Sequence, residues 1–266
     1  MPIAATRGHQ LVKDVNQVLE NSPRYIPETD FWFRRTLAEA EKLKSVNRGE
    51  AHNVLAQLYG LAGNASVAEH HIDTAIRLSH DPAIVCNKAV ILSNMGFFSA
   101  ARKSFVESVD PELGLFTARW KLGICAGCMH TLAEFLAKAR RMNLENLNTV
   151  DAALITDAVQ LMDEITLTDE VLAHALDVAG EVLREQRLFF VGDGPQVSIW
   201  NDDPLERHLG LIFKLSVSTA DAIALDEELG HRLFEKCSNV PPELMIHFES
   251  VKPKNEHYTE RPAVTG

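Results

Sequence analysis

The chain has few cysteines, few basic residues and no long apolar run, and each shortage closes off a class of protein. Cys86, Cys125, Cys128 and Cys237 are the only 4 cysteines in 266 residues, too few and too scattered for a disulfide framework. They suit a reducing compartment. Lysine and arginine number 26 against 37 acids, a formal charge of -11, and this balance argues against the positive surface that a nucleic-acid binder needs. No segment approaches the roughly 20 apolar residues that span a bilayer, and MPIAATRGHQLVKDV lacks the apolar centre of a secretory signal. Catalytic signatures are missing as well. No serine sits in a nucleophile elbow, and no paired histidines have metalloprotease spacing. Gly192-Asp193-Gly194 is followed by no lysine and opens no helix, so it reads as a turn. The expectation is a soluble, cytoplasmic, non-enzymatic protein that uses no cofactor or metal and binds neither nucleic acid nor membrane.

The rest of the composition, 46% hydrophobic and 24% charged, is that of a globular chain with a large core and length for two domains. Most of it has helical periodicity. Leu11, Val12, Val15, Val18 and Leu19 share one face of a helix over 10–20, which Asn21-Ser22-Pro23 stops. Pro27 to Asp30 opens a second helix carrying Phe31, Trp32, Leu37, Ala40 and Leu43. The trio Phe31, Trp32 and Phe33 reads as a cap on the helices that follow, with a partner-binding patch as the alternative.

From Glu50 to Val109 one pattern occurs twice at a 33-residue offset. Ala56 falls on Ala89, Tyr59 on Leu92, Gly63 on Gly96, Ala68 on Ala101 and Ile72 on Phe105. Small residues let paired helices approach, and each glycine closes the first helix of a pair. A period in the low thirties built of two amphipathic helices marks a stacked helical repeat. The stretch resembles the tetratricopeptide repeat, over about residues 50–142. The resemblance implies a scaffold that grips a protein or peptide partner in a groove lined by the first helix of each repeat. On this chain the groove positions are Asn53 and Gln57 in the first copy, Asn87 and Asn94 in the second, and Arg119 in a degenerate third over 113–142. Asn87 stands where the peptide-carboxylate-binding subset of the family also has asparagine. The companion lysines of that subset are absent, with Asn53 where one is expected.

Two more helices, over 148–165 and 168–186, complete a further hairpin. Between Asp151 and Gln186 nine acids stand against one base, Arg184. A solvated helix face explains such a run, and so does a docking surface for a basic partner, with Asp163, Glu164, Asp169 and Glu170 at its centre.

At Leu188 the periodicity changes to alternation. Leu188 to Val191 and Val197 to Trp200 flank a glycine-rich turn and read as a hairpin. Leu209 to Val217 is the clearest strand; Ser218 to Asp221 then forms a capping box for a helix, and Leu244 to Phe248 alternates again. The predicted fold is mainly α: a helical-hairpin solenoid over 1–186, a small α+β domain over 187–251 with an antiparallel sheet and one helix, and a flexible tail over 252–266. The α+β part offers a second contact or a surface for homo-oligomer formation. The competing reading is an enzyme centred there, on Asp202, Asp203, His208 and His247, with the repeats recruiting substrate. Cys125-Ala126-Gly127-Cys128 lacks a second ligand pair for zinc and reads as core cysteines.

Overall fold

A residue with a left-handed backbone ends one helix after another, and this repeated local device sets the architecture. The computed structural model describes residues 4–79, 81–108, 116–143, 151–192, 194–200 and 207–251. After α1 (Ala4–Asn21) and α2 (Phe31–Leu43) come the pairs α3 (Arg48–Leu61) with α4 (Ala65–Leu78), and α5 (Pro82–Asn94) with α6 (Phe98–Ser108). α7 (Phe116–Cys125) then pairs with α8 (Met129–Arg141), and α9 (Ala152–Glu164) is followed by α10 (Asp169–Glu185).

Gly63 and Gly96 both have φ of 74°. The Gly63 N–H donates to Gly60 O and the Asn64 N–H to Tyr59 O, both at 2.9 Å; Gly96 to Ser93 and Phe97 to Leu92 repeat the pattern at 2.9 Å each. Gly127, with φ of 69°, closes α7 through the same two bonds. These are Schellman stops, in which a left-handed residue lets N–H groups beyond the helix satisfy its last carbonyls. The 33-residue offset is therefore one kind of corner used twice. Thr166 and Arg187 close α9 and α10 in the same way despite their side chains, at φ of 59° and 54°.

Helix starts are capped less uniformly. Asp30, Asn47, Asp81, Asp151 and Thr168 each cap their own helix. Cys128, at the start of α8, makes no side-chain cap. α10 supplies caps from outside: Asp169 accepts from the N–H groups of His130 and Thr131 at the start of α8, and Asp177 accepts from Ser99 N–H at the start of α6. Gly180 brings α10 against the α5–α6 corner, so closely that a Cβ there would lie 1.9 Å from Gly96 O. Arg184 donates to the carbonyls of Met95 and Gly96, and its guanidinium lies 4.1 Å from the centre of the Phe97 ring.

The three strands β1 (Gln196–Trp200), β2 (His208–Leu215) and β3 (Leu244–Ser250) form a sheet in that order, with α11 (Thr219–Lys236) between β2 and β3. β1 runs antiparallel to β2, but β3 runs parallel to it, so the expected all-antiparallel sheet is a mixed one. The cause is α11: a helix of 18 residues carries the chain back to the level where β2 began, and a parallel neighbour needs such a crossover. Ser218 caps this helix, accepting from Asp221 N–H as its capping-box sequence predicts.

The expected hairpin of Leu188–Val191 on Val197–Trp200 does not form. Leu188 instead bridges to Arg24 and Phe190 to Leu215, while Val191 N–H donates to Lys214 O at 2.7 Å. Segment 188–191 is thus held by the α1–α2 linker on one side and the end of β2 on the other. Leu209, Leu211, Phe213 and Leu215, with Ile246 and Phe248, face inward, and Phe213 meets the rings of Phe98, Phe190 and Phe248. One buried cluster therefore runs from Ala56 on α3 through the later helices to Phe248 on β3. Of the aromatic trio, Phe33 is buried against Leu58 and Ala62, whereas Phe31 is 80% exposed. The chain is mainly helical with a small three-stranded sheet towards its C-terminal end. Among the described residues no helix is long and apolar enough to cross a membrane. The proposed tail over 252–266 lies outside the described residues.

Two glycine substitutions test this packing in opposite directions. Gly180→Ala forces α10 off Gly96 and is expected to destabilise by roughly 1–3 kcal/mol, as overpacking does. Gly230→Ala, on α11 with nothing within 4 Å of the added carbon, is expected to stabilise by up to about 1 kcal/mol. Urea midpoints measure both, and an unchanged midpoint for Gly180→Ala would contradict the contact.

Candidate functional site

α3 is packed by α1, α2, α4 and α5, and every residue from Ala51 to Leu58 is buried. Polar groups on such a helix need partners within the protein. Asn53, 6% exposed, provides one through its Oδ1, which accepts from Asn87 Nδ2 on α5 at 3.0 Å and, at 3.5 Å, from Gln57 Nε2 one turn along α3. Gln57 is 9% exposed, and its Oε1 is buried without a hydrogen bond.

A pocket of about 240 Å³ opens beside this amide network. Gln57, Asn87 and Asn94 line it with Gly60, Leu61, Val90 and Ile91, while α1 adds Val15, Asn16 and Leu19, and Phe189 closes the far side. Three of the five groove positions are thus brought together, and Asn53 stands behind two of them. Arg119 does not join them; it lies on α7 and is 1% exposed. The contributions of α1 and Phe189 were not foreseen. Val15 and Leu19 have the spacing of any core stripe, and the sequence does not specify that Leu11 and Val15 pack α1 on α3, or that Val15, Leu61, Phe189 and Tyr25 form one cluster.

The acids of the proposed docking face are engaged within the chain. Asp163 meets His130 Nε2 at 3.1 Å, Glu170 meets Arg102 at 2.6 Å, and Glu164 pairs with Arg207. Asp169, 5% exposed, holds the α8 N-terminus, His130 Nδ1 at 2.9 Å and the Thr131 hydroxyl at 3.1 Å. Glu181 and Glu185 reach Lys236 and Arg232 of α11. A run that is acidic in sequence therefore ties α10 to its basic neighbours.

The alternative centre in the C-terminal part does not assemble from its histidines. His247 lies opposite Ile212, four residues along β2 from His208, which at about 3.3 Å per residue separates the two by roughly 13 Å. His247 Nδ1 lies 3.2 Å from Asp226, while His208 Nδ1 is buried without a partner. Asp202 and Asp203 lie outside the described residues. Among the described residues no three His, Cys, Asp or Glu side chains gather at metal-binding distance. Cys125 and Cys128 are buried and form no disulfide, and burial pushes the Cys128 thiol far above the ordinary range, which suppresses thiolate chemistry.

His52 on α3 and His71 on α4 face each other, Nδ1 to Nδ1 at 2.8 Å, with the Tyr59 ring stacked on His71. One nitrogen donates and the other accepts, an arrangement open only to neutral or singly protonated rings. Burial lowers the pKa of both, with neighbouring positive groups adding to it, and His71 falls to about 4. His130 is opposite in sign: burial alone would lower it, but its hydrogen bonds with Asp169 and Asp163 raise it.

These shifts set a pH dependence. The unfolded chain takes up protons at His52 and His71 near the ordinary 6.5 while the folded chain does not, so their contribution is present above about pH 6.5 and is lost as pH falls towards 4. His130 contributes below about pH 6.5 and its share is lost as pH rises through its raised value. Between pH 7 and 5, wild type is expected to lose more stability than His71→Gln, measured as the shift in urea midpoint; parallel curves would contradict the buried pair. Comparisons with protein-family models, with curated proteins and with solved structures found no match.

Proposed function

We propose that this protein is a non-enzymatic binding module of the tetratricopeptide kind, an adaptor, chaperone or regulatory protein that grips a segment of a protein partner between α1, α3 and α5. The observation that carries the reading is the pocket on which Gln57, Asn87 and Asn94 converge. Two further features support it. α3 and α5 are the first helices of successive hairpins that end in the same glycine corner, which is how a repeat offers equivalent positions to one ligand. The pocket combines apolar walls with a few amide groups, the mixture that binds an uncharged part of a ligand and orients it by hydrogen bonds. The internal pairing of Asp163, Glu164, Asp169 and Glu170 weakens the case for the acidic helices as the main docking surface.

Asn94→Arg tests the reading. Position 94 is half-buried at the end of α5, so the longer side chain can leave the fold intact while placing a charge in the pocket. Wild type and variant are used to capture partners from cells of the source organism at low and high salt. A partner held by wild type at both salts and lost by the variant is the expected result. Capture of the same proteins by both forms would remove the pocket from the function.

A further inference from the structure

Asn53 fixes the polarity of the amide network. Its single Oδ1 accepts from both Asn87 Nδ2 and Gln57 Nε2, so those two side chains turn their N–H groups towards Asn53 and are left with their oxygens. Gln57 Oε1 is the consequence: a buried acceptor without a donor, on a residue that lines the pocket. A buried carbonyl in this state lacks the hydrogen bond that water or a donor would give it. The pocket's lining includes no charged side chain. A charged group entering would lose its hydration without gaining a counter-ion. At about 240 Å³ the space is smaller than the roughly 300–1,000 Å³ of sites that take whole small molecules. It suits one side chain and its flanking peptide unit.

From these observations we infer that the pocket takes a single neutral, apolar side chain of an extended segment, seated against Val15, Leu19, Val90, Ile91 and Phe189, and that Gln57, held to Asn53 only by a long bond of 3.5 Å, turns its amide so that Oε1 accepts a backbone N–H of that segment. This rests on the docking reading above and adds the chemical class of the ligand. The amides read the peptide unit, and the apolar wall selects the side chain.

The test uses the full chain and four small probes: N-acetyl-leucine N-methylamide, its aspartate and lysine counterparts, and N-acetyl-N-methyl-leucine methyl ester, which keeps the side chain but has no N–H. Binding is followed by the side-chain amide NMR signals of Gln57, Asn87 and Asn94. The leucine amide is expected to shift these signals with an affinity around millimolar, as suits so small a ligand. The charged probes and the N–H-free ester are expected to bind at least tenfold more weakly. Gln57→Leu, which removes the orphan acceptor and keeps an apolar side chain, is expected to lower affinity for the leucine amide about tenfold. The inference is overturned if the aspartate or lysine probe binds as tightly as leucine, if the ester binds within twofold of the amide, or if Gln57→Leu leaves affinity unchanged. A partner lost with Asn94→Arg, in a protein that ignores the leucine amide, would leave the docking reading standing and sink this ligand class. Leucine binding with no pocket-dependent partner would do the reverse.

Discussion

The contact between Gly96 and Gly180 is the constraint on which the rest of the structure depends. Without a side chain at either position, α10 lies directly on the corner between α5 and α6. Only at that distance can Arg184 reach the carbonyls that the corner leaves exposed, and Asp177 the N-terminus of α6. Eight residues earlier along α10, Asp169 does the same for α8. A carboxylate at a helix N-terminus is favourable both as a hydrogen-bond acceptor and against the positive end of the helix dipole. One helix thus finishes two others, and the same helix delivers the chain to Arg187, whose carbonyl accepts from Tyr25 N–H in the α1–α2 linker. Phe189, two residues on, becomes a wall of the pocket because α10 fixes where that strand-like segment starts.

The N-terminal half is organised around a different necessity, that of burying α3 with its polar residues. His52 finds His71, and Asn53 finds Asn87 and Gln57, so polar side chains on consecutive turns and positions are matched across to α4 and α5. Matched polar groups fix how helices are aligned more sharply than apolar contacts do, because a slip by one residue would leave donors and acceptors unpaired. The unmatched oxygen of Gln57 is the exception in this arrangement, and it occurs where the protein opens into a pocket. A buried acceptor without a donor beside a cavity is an unfilled hydrogen-bonding capacity.

Local chemistry was legible in the sequence and long-range pairing was not. The glycines at 63 and 96 and the caps at Asp30 and Ser218 mark helix ends through contacts within a few residues, so the positions of these helices follow from the sequence closely. The direction of β3 depends on where α11 packs, which no residue of β3 specifies; alternation in Leu244, Ile246 and Phe248 is the same in a parallel as in an antiparallel neighbour. Likewise Asp169 and Asp177 share a face of α10, but nothing in their spacing says that two helix N-termini wait there. Gln57, Asn87 and Asn94 line the pocket from the first helices of two successive pairs, the placement that the resemblance implies, whereas Asn16 comes from α1 and Phe189 from the segment after α10, neither of which belongs to those pairs.

The division of charge follows from this arrangement and bears on how a partner would be chosen. Acids on α9 and α10 pair with bases on α6, α8 and α11, and exposed pairs of this sort contribute only up to about 1 kcal/mol each. Their larger effect is to align neighbouring helices and to cancel local fields. A net charge of -11 still surrounds the molecule and speeds the approach of basic proteins at low salt. The pocket, by contrast, is lined by no charged side chain, so long-range attraction and local fit are separate properties of this surface. On the docking reading proposed above, that separation has a physical advantage: salt would alter how often partners meet, while the fit of an uncharged side chain against Val90, Ile91 and Phe189 would still decide which of them stay.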